Sequence, residues 1–134
     1  MALIDEAEIR RRYERLTAGD EMADLLADDF VFHQQAELPG TAGTFRGLEG
    51  VRASNAEIAE SLVDLVWQPE RIEQLDDGRW LTLLKVSGRG TRSGVPTETQ
   101  LAHIARFDEQ GRLKRLDAHG DWDEARRAAA EDSW

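Results

Sequence analysis

The stretch TETQLAHIARFDEQGRLKRLDAHGDW, Thr97 to Trp122, decides the fold of this chain. β-Branched and aromatic residues run on either side of Asp108-Glu109-Gln110-Gly111, a polar turn closed by glycine, which is the pattern of a β-hairpin. It predicts a strand over Thr97–Phe107 and a returning strand over Arg112–Trp122. With a four-residue loop, Phe107 lies opposite Arg112, His103 opposite Leu116 and Leu101 opposite Ala118. Opposed residues share a face of a sheet. One face then holds Thr99, Leu101, His103, Ala105 and Phe107 with Leu116, Ala118, Gly120 and Trp122, and Lys114 near the turn. The other holds Gln100, Ala102, Ile104 and Arg106 with Leu113, Arg115, Asp117, His119 and Asp121. The first set is the more apolar and is expected to face inward. A single bulge would bring Asp117 in with it.

His103 is therefore a titratable group set among Leu101, Ala105 and Leu116. Burial lowers an imidazole pKa and keeps the ring neutral, which suits a general base. A core histidine satisfied by one hydrogen bond is the other reading that the pattern leaves open. Asp117 and His119, on the opposite face, read as solvated or as a dimer contact.

Upstream, Asp5 to Ala18 reads as a helix, with Ile9, Tyr13 and Leu16 at i, i+4 and i+7 and Arg10, Arg11, Glu14 and Arg15 on the other side. Gly19 ends it. Asp20 reads as the N-cap of a short second helix through Leu26, broken by Asp28-Asp29. Phe30-Val31-Phe32-His33 has strand composition. Alternation puts Gln34, not His33, on the side of Phe30 and Phe32. Gln34, Gln35 and His33 are polar groups at a strand end, suited to orienting a ligand. Tyr13, on the apolar stripe of the first helix, is placed to direct its hydroxyl into an interior.

Gln34 to Gly47 reads as a loop punctuated by Pro39, Gly40, Gly43 and Gly47, long enough for a rim or lid. A third helix follows over about Leu48–Leu62. Val63–Leu75 reads as a strand that Pro69 confines to an edge or a bulge. Asp77-Gly78 marks a hairpin turn and Arg79–Gly88 the next strand. Asp123 reads as the cap of a C-terminal helix over Glu124–Ala130. Trp67, Trp80 and Trp122 read as core or interface residues. Helices first and strands in meander afterwards indicate an α+β domain, with helices on one face of a curved antiparallel sheet enclosing a conical cavity.

The length of 134 residues fits one domain, here the whole of residues 1–134. A net charge of −10 opposes binding to nucleic acid or an anionic membrane. Absence of cysteine removes disulfides, zinc-thiolate sites and cysteine nucleophiles. MALIDEAEIRRRYERL has no long apolar run, so no signal peptide or membrane span is expected and a soluble cytoplasmic protein is the default. No His-x-His, HExxH, acidic calcium loop, phosphate loop or Gly-x-Ser-x-Gly occurs, and no metal is expected.

Four further segments carry a resemblance. They are Arg12-Tyr13-Glu14-Arg15-Leu16 before Gly19-Asp20; Ala27-Asp28-Asp29-Phe30-Val31-Phe32-His33; Thr44-Phe45-Arg46-Gly47-Leu48-Glu49-Gly50-Val51; and His103-Ile104-Ala105-Arg106-Phe107 through Gly111-Arg112-Leu113 to Asp121. In this order they resemble the SnoaL-like branch of the nuclear-transport-factor-2-like superfamily. The resemblance implies a cone-shaped α+β barrel, its N-terminal helices packed on a strongly curved antiparallel or mixed sheet, with a deep pocket. It also implies a homodimer through the sheet and a small hydrophobic ligand. The superfamily includes polyketide cyclases, ketosteroid isomerases, dehydratases, epoxide hydrolases and non-catalytic binding proteins, and its enzymes mostly use no metal or organic cofactor. By resemblance, His103 falls where ketosteroid isomerases place an oxyanion-hole aspartate, and Gln34 where they place the carboxylate base. His103 with Asp117 matches the His and Asp of SnoaL-type cyclases. The implied function is cofactor-independent acid–base chemistry on a hydrophobic carbonyl or polyketide-like molecule. His103 and Asp117 would be catalytic, with Tyr13, Phe32, His33, Gln34, Leu101 and Leu116 against the substrate. The alternative is a non-catalytic binding or dimeric interaction module.

Overall fold

A computed structural model describes residues 4–34, 43–132 and 134. Helix α1 (Glu6–Thr17) starts where Asp5 accepts a hydrogen bond from the Glu8 amide at 2.7 Å, and it ends before Gly19, whose φ of 88° only glycine adopts without strain. The expected second helix is a single 3-10 turn, Ala23–Leu25, entered through Met22 in the left-handed region. Strand β1 therefore begins earlier than expected and spans Leu26–Gln34. A four-residue strand β2 (Gly43–Arg46) pairs antiparallel with it, inside the stretch read as a loop. Residues 35–42, including Gln35 and Pro39, lie outside the described residues.

Helix α2 (Gly47–Ala59) leads into β3 (Leu62–Gln74), β4 (Trp80–Gly90), β5 (Pro96–Phe107) and β6 (Leu113–His119). The sheet order is β2-β1-β6-β5-β4-β3, with β1 parallel to β6 and the other pairings antiparallel. Pro69 sits on the edge strand β3 beside a register shift, as its missing N–H requires.

Helix α1 packs against β3 on the inner side, where Tyr13, Leu65 and Trp67 close over Leu84, Val86 and Leu101. Helix α3 (Trp122–Glu131) does not join α1. It is capped by Asp121 rather than Asp123 and lies on the opposite face, its Ala125 and Ala129 against Leu81, Ala102 and Ile104. Both faces at the centre of the sheet are thus buried, which explains the poor alternation of β4. The consequence reaches three outer residues. Asp117 and His119, expected in solvent or at a dimer contact, are 5% and 2% exposed, and Trp122, expected inside, belongs to the outer core.

The hairpin register shows why the face assignment survived an incorrect loop length. Asp108 Oδ1 accepts from the amides of Gln110 and Arg112, both at 2.9 Å, and this draws Arg112 into the turn. Phe107 then pairs with Leu113 instead of Arg112. That one-residue slip would invert every face of β6. A bulge at Lys114 inserts a second residue, so that Arg106 pairs with Arg115 and His103 with Ala118. The two offsets restore the parity, and His103, Ala105, Leu116 and Ala118 share one face while Asp117 stays on the other. Inside the bulge the expectation inverts: Leu113 turns inward, and Lys114 turns out to Asp29 at 3.1 Å.

Candidate functional site

The inner face of the cone carries two adjoining cavities of about 100 and 110 Å³, which share Leu16, Met22, Leu26, His103, Leu113 and Leu116. The first lies under α1, between Tyr13 and the β4–β6 residues Trp80, Thr82, Ala105 and Phe107. The second runs on toward Phe30, Phe32 and Gln34 of β1, Ile58 of α2, and Trp67. The apolar stripe of α1 and the inward residues of a bent sheet produce this space because neither surface is flat enough to fill it.

His103 stands where the two cavities meet. Its Nδ1 lies 2.7 Å from the Tyr13 hydroxyl, and its ring centroid lies 5.8 Å from that of Tyr13 and 6.1 Å from that of Trp67. Burial holds the imidazolium far below its ordinary value of 6.5, at about 3, and the charge of His119 across the sheet acts in the same direction. Burial also pushes the Tyr13 hydroxyl above its ordinary value, against a smaller opposite effect of the Thr82 hydroxyl. At neutral pH both groups are uncharged. Two proton arrangements fit the contact. Either Tyr13 donates to Nδ1, or Nδ1–H donates to Tyr13 and leaves the phenol O–H to donate into the cavity. A base whose conjugate acid has a pKa near 3 has little drive to take a proton from carbon, so the pair is better suited to polarising an acceptor.

Phe32, Gln34, Leu101 and Leu116 line the cavities with Tyr13 and His103. His33 and Asp117 do not. They are neighbours on the outer face, at one parallel rung of β1 and β6. His33 Nδ1 lies 2.9 Å from Thr44 Oγ1, and Asp117 is held by both Nε and Nη2 of Arg115, at 3.0 and 3.1 Å. The pairing of His103 with Asp117 is therefore not formed. Gln34 is 4% exposed and presents an amide to the second cavity.

Sequence reading missed several cavity residues, among them Trp67, Trp80, Thr82 and Arg12. Trp67 and Trp80, assigned to core or interface, line the cavities, and Thr82 is the β4 partner of His103. Arg12 also lines the first cavity. Its position was legible: Ile9, Arg12, Tyr13 and Leu16 follow i, i+3, i+4, i+7, so a cation interrupts the apolar stripe. Among the described residues the one carboxylate lining either cavity is Glu21, held by Arg52 through two bonds of 2.8 and 3.0 Å. No group of three His, Asp or Glu among the described residues is arranged to hold a metal ion. No helix among them is long and apolar enough to cross a membrane.

Solved structures with this architecture are numerous. An NTF2-like protein of unknown function from Burkholderia pseudomallei is 21% identical over 89% of this chain and 92% of its own, with a TM-score of 0.72. TerC, co-crystallised with polyporic acid, is 17% identical over 95% and 97%, with a TM-score of 0.72. A Mycobacterium tuberculosis protein solved in complex with estradiol-17beta-hemisuccinate is 18% identical over 86% and 93%, with a TM-score of 0.68. At these identities the likeness gives the fold alone. No curated protein matches the chain. The family model of the SnoaL-like domain matches residues 9–116, from the apolar stripe of α1 to the inward Leu116 of β6, and the chain belongs to that family within the NTF2-like fold.

Proposed function

We propose that this domain takes a small hydrophobic carbonyl compound into the cone and polarises its carbonyl oxygen through the Tyr13–His103 pair. The pair supplies the electrophilic half of a cofactor-independent reaction of the isomerase, cyclase or dehydratase type, the hydrogen bond to the oxygen on which negative charge develops, and the proton leaving carbon passes to water at the cavity mouth. One observation carries the reading: a 2.7 Å hydrogen bond between a buried imidazole and a partly buried phenol, both uncharged, in a largely apolar cavity. A phenol donor held in a dry site stabilises a developing oxyanion far more than the same donor in water. His103 orients that donor, and Phe32, Leu101 and Leu116 enclose the apolar body of the ligand. The ligands of two structural neighbours, polyporic acid and estradiol-17beta-hemisuccinate, support an interior that accepts small organic molecules.

The test is turnover and equilibrium binding, measured together on a panel of β,γ-unsaturated ketones, for the wild type, Tyr13→Phe and His103→Gln. Both variants are expected to lose on the order of 10²-fold or more in rate while binding changes little. Unchanged turnover in both would refute the pair's role.

A second reading, a non-catalytic binding module, is favoured by one specific observation. The position where the resemblance puts a carboxylate base holds Gln34, and Glu21 is already engaged by Arg52. Binding by the wild type with no turnover on any ketone decides for this reading.

A further inference from the structure

Arg12 is the one cation lining either cavity among the described residues. It stands on the apolar stripe between Ile9 and Leu16, and its side chain is only 13% exposed. Its Nε donates to Glu8 Oε2 at 2.8 Å, and its guanidinium carbon lies 5.1 Å from the centroid of the Phe107 ring. Its Nη1 is buried and meets no hydrogen-bond acceptor among the described residues. Glu8 does not neutralise it in full, because Glu8 Oε1 is taken by Arg11 Nε at 3.0 Å. One carboxylate thus serves two guanidiniums, and a surplus positive charge is left at the α1 end of a largely apolar cavity that no carboxylate lines. The chain as a whole carries a net charge of −10, so any attraction of an anion has to be local.

We infer that Arg12 is a ligand-binding residue and that the ligand carries a carboxylate or an ionised acidic hydroxyl, which meets its guanidinium at the α1 end of the first cavity. This rests on the reading of the cone as a small-molecule site and narrows its ligand class to acidic aromatic or polycyclic compounds. A guanidinium donor engages an ionised oxygen about twice as strongly as a neutral one. The Phe107 ring fixes the plane of the guanidinium, so little order is left to impose when the ligand arrives. An apolar cavity of about 150 Å³ takes a benzene ring. Neither cavity alone reaches that size, but the two in series exceed it, which suits a fused body such as naphthalene, with the acidic group at Arg12 and the rings passing His103 toward Phe32.

The experiment is calorimetric titration with naphthoate and with naphthamide, its neutral isostere. The wild type is expected to bind naphthoate about tenfold tighter or more, the value of one buried charge-assisted hydrogen bond. Arg12→Met keeps the stem against Phe107 and should bring naphthoate down to the level of naphthamide. Glu8→Gln removes the competing carboxylate and should tighten naphthoate several-fold without moving naphthamide, which an Arg12 that merely anchors α1 would not do. If Arg12→Met does not fold, Glu8→Gln decides alone, and an unchanged naphthoate affinity there overturns the inference. Equal binding of the two probes by the wild type overturns the role of Arg12 and leaves the cavity reading standing. Binding of neither overturns both.

Discussion

Replacing His103 by glutamine should remove a large part of the acid sensitivity of this fold. Folding lowers the His103 pKa from an ordinary 6.5 to about 3. Above the higher value both states are neutral and the titration costs nothing. As the pH falls below it, the unfolded chain takes up a proton that the folded chain excludes, so stability falls. The loss continues until the pH reaches the folded-state value. Each unit is worth about 1.4 kcal/mol, so the decline between about pH 7 and about pH 4 amounts to about 3 kcal/mol. Carboxylates held below their ordinary pKa act in the same direction but in a lower window. Asp20, fixed by the Met22 amide and Arg15, and Glu21, fixed by Arg52, lose their stabilisation as the pH falls from their ordinary values through lower ones. That contribution is common to wild type and variant and cancels in the difference. Glutamine at position 103 does not titrate and still offers the Tyr13 hydroxyl a partner. Urea unfolding followed by circular dichroism at about pH 7, 6, 5 and 4 reads the effect. With a slope of about 1–3 kcal/mol per molar urea, the wild-type midpoint should fall by about 1–3 M more than that of His103→Gln. Parallel decline of the two proteins would refute a buried neutral histidine.

Four other outcomes follow from the packing. Tyr13→Phe strands the buried Nδ1 of His103 and should cost about 1–3 kcal/mol at neutral pH by urea midpoint, and less when made in His103→Gln. Leu84→Ala, at a fully buried site in the inner core, should cost about 2–5 kcal/mol by the same measurement. Arg79 is 3% exposed and donates to Asp77 Oδ2, the Ala129 carbonyl and the Asp132 carbonyl at 2.7, 2.7 and 2.9 Å. Arg79→Met should cost about 3–5 kcal/mol and speed hydrogen exchange in α3 before that in β4. Gly50→Ala sets a Cβ 2.8 Å from the Phe45 carbonyl carbon, so α2 must move off β2, and a loss of about 1–3 kcal/mol in thermal or urea unfolding is expected.

The order of elements, the meander, the edge position of β3 and the inward face of β5 were legible in the sequence because each rests on local chemistry. Pro69 cannot serve a central strand, Asp77-Gly78 closes a tight turn, and the set Leu101, His103, Ala105, Leu116 and Ala118 is more apolar than the facing set with Arg106, Arg115, Asp117 and His119. What was not legible depended on distant partners. Nothing local tells that Ala125 and Ala129 cover Ala102 and Ile104, so Asp117 and His119 read as solvated when α3 buries them. The short second helix was read from its cap, but Met22 takes a left-handed conformation and Leu26 is drawn into pairing with β6. The site divided in the same way. Periodicity indicated the inward placement of Tyr13, Phe32, Gln34, Leu101, His103 and Leu116, which line the cavities. Thr82 was not, since its contribution exists only through its rung with His103.

The bulge at Lys114 shows how closely site and stability are joined on one hairpin. Strand β5 sends Leu101, His103 and Ala105 to the cavity and Ala102 and Ile104 to the α3 core, so neighbouring residues serve binding and stability alternately. That division holds only while the Asp108 turn and the Lys114 bulge each displace β6 by one residue. Losing either one alone would turn Leu116 out of the cavity and Asp117 into it. Arg115, which shares the face of Asp117 and satisfies both of its oxygens, would enter with it, so the whole ion pair would stand beside His103. Moving that pair into an apolar cavity costs several kcal/mol of desolvation, so the present register is fixed by the outer ion pair as much as by the turn. The same ion pair keeps a potential base out of the cavity and leaves the chemistry there to uncharged groups on β5 and α1.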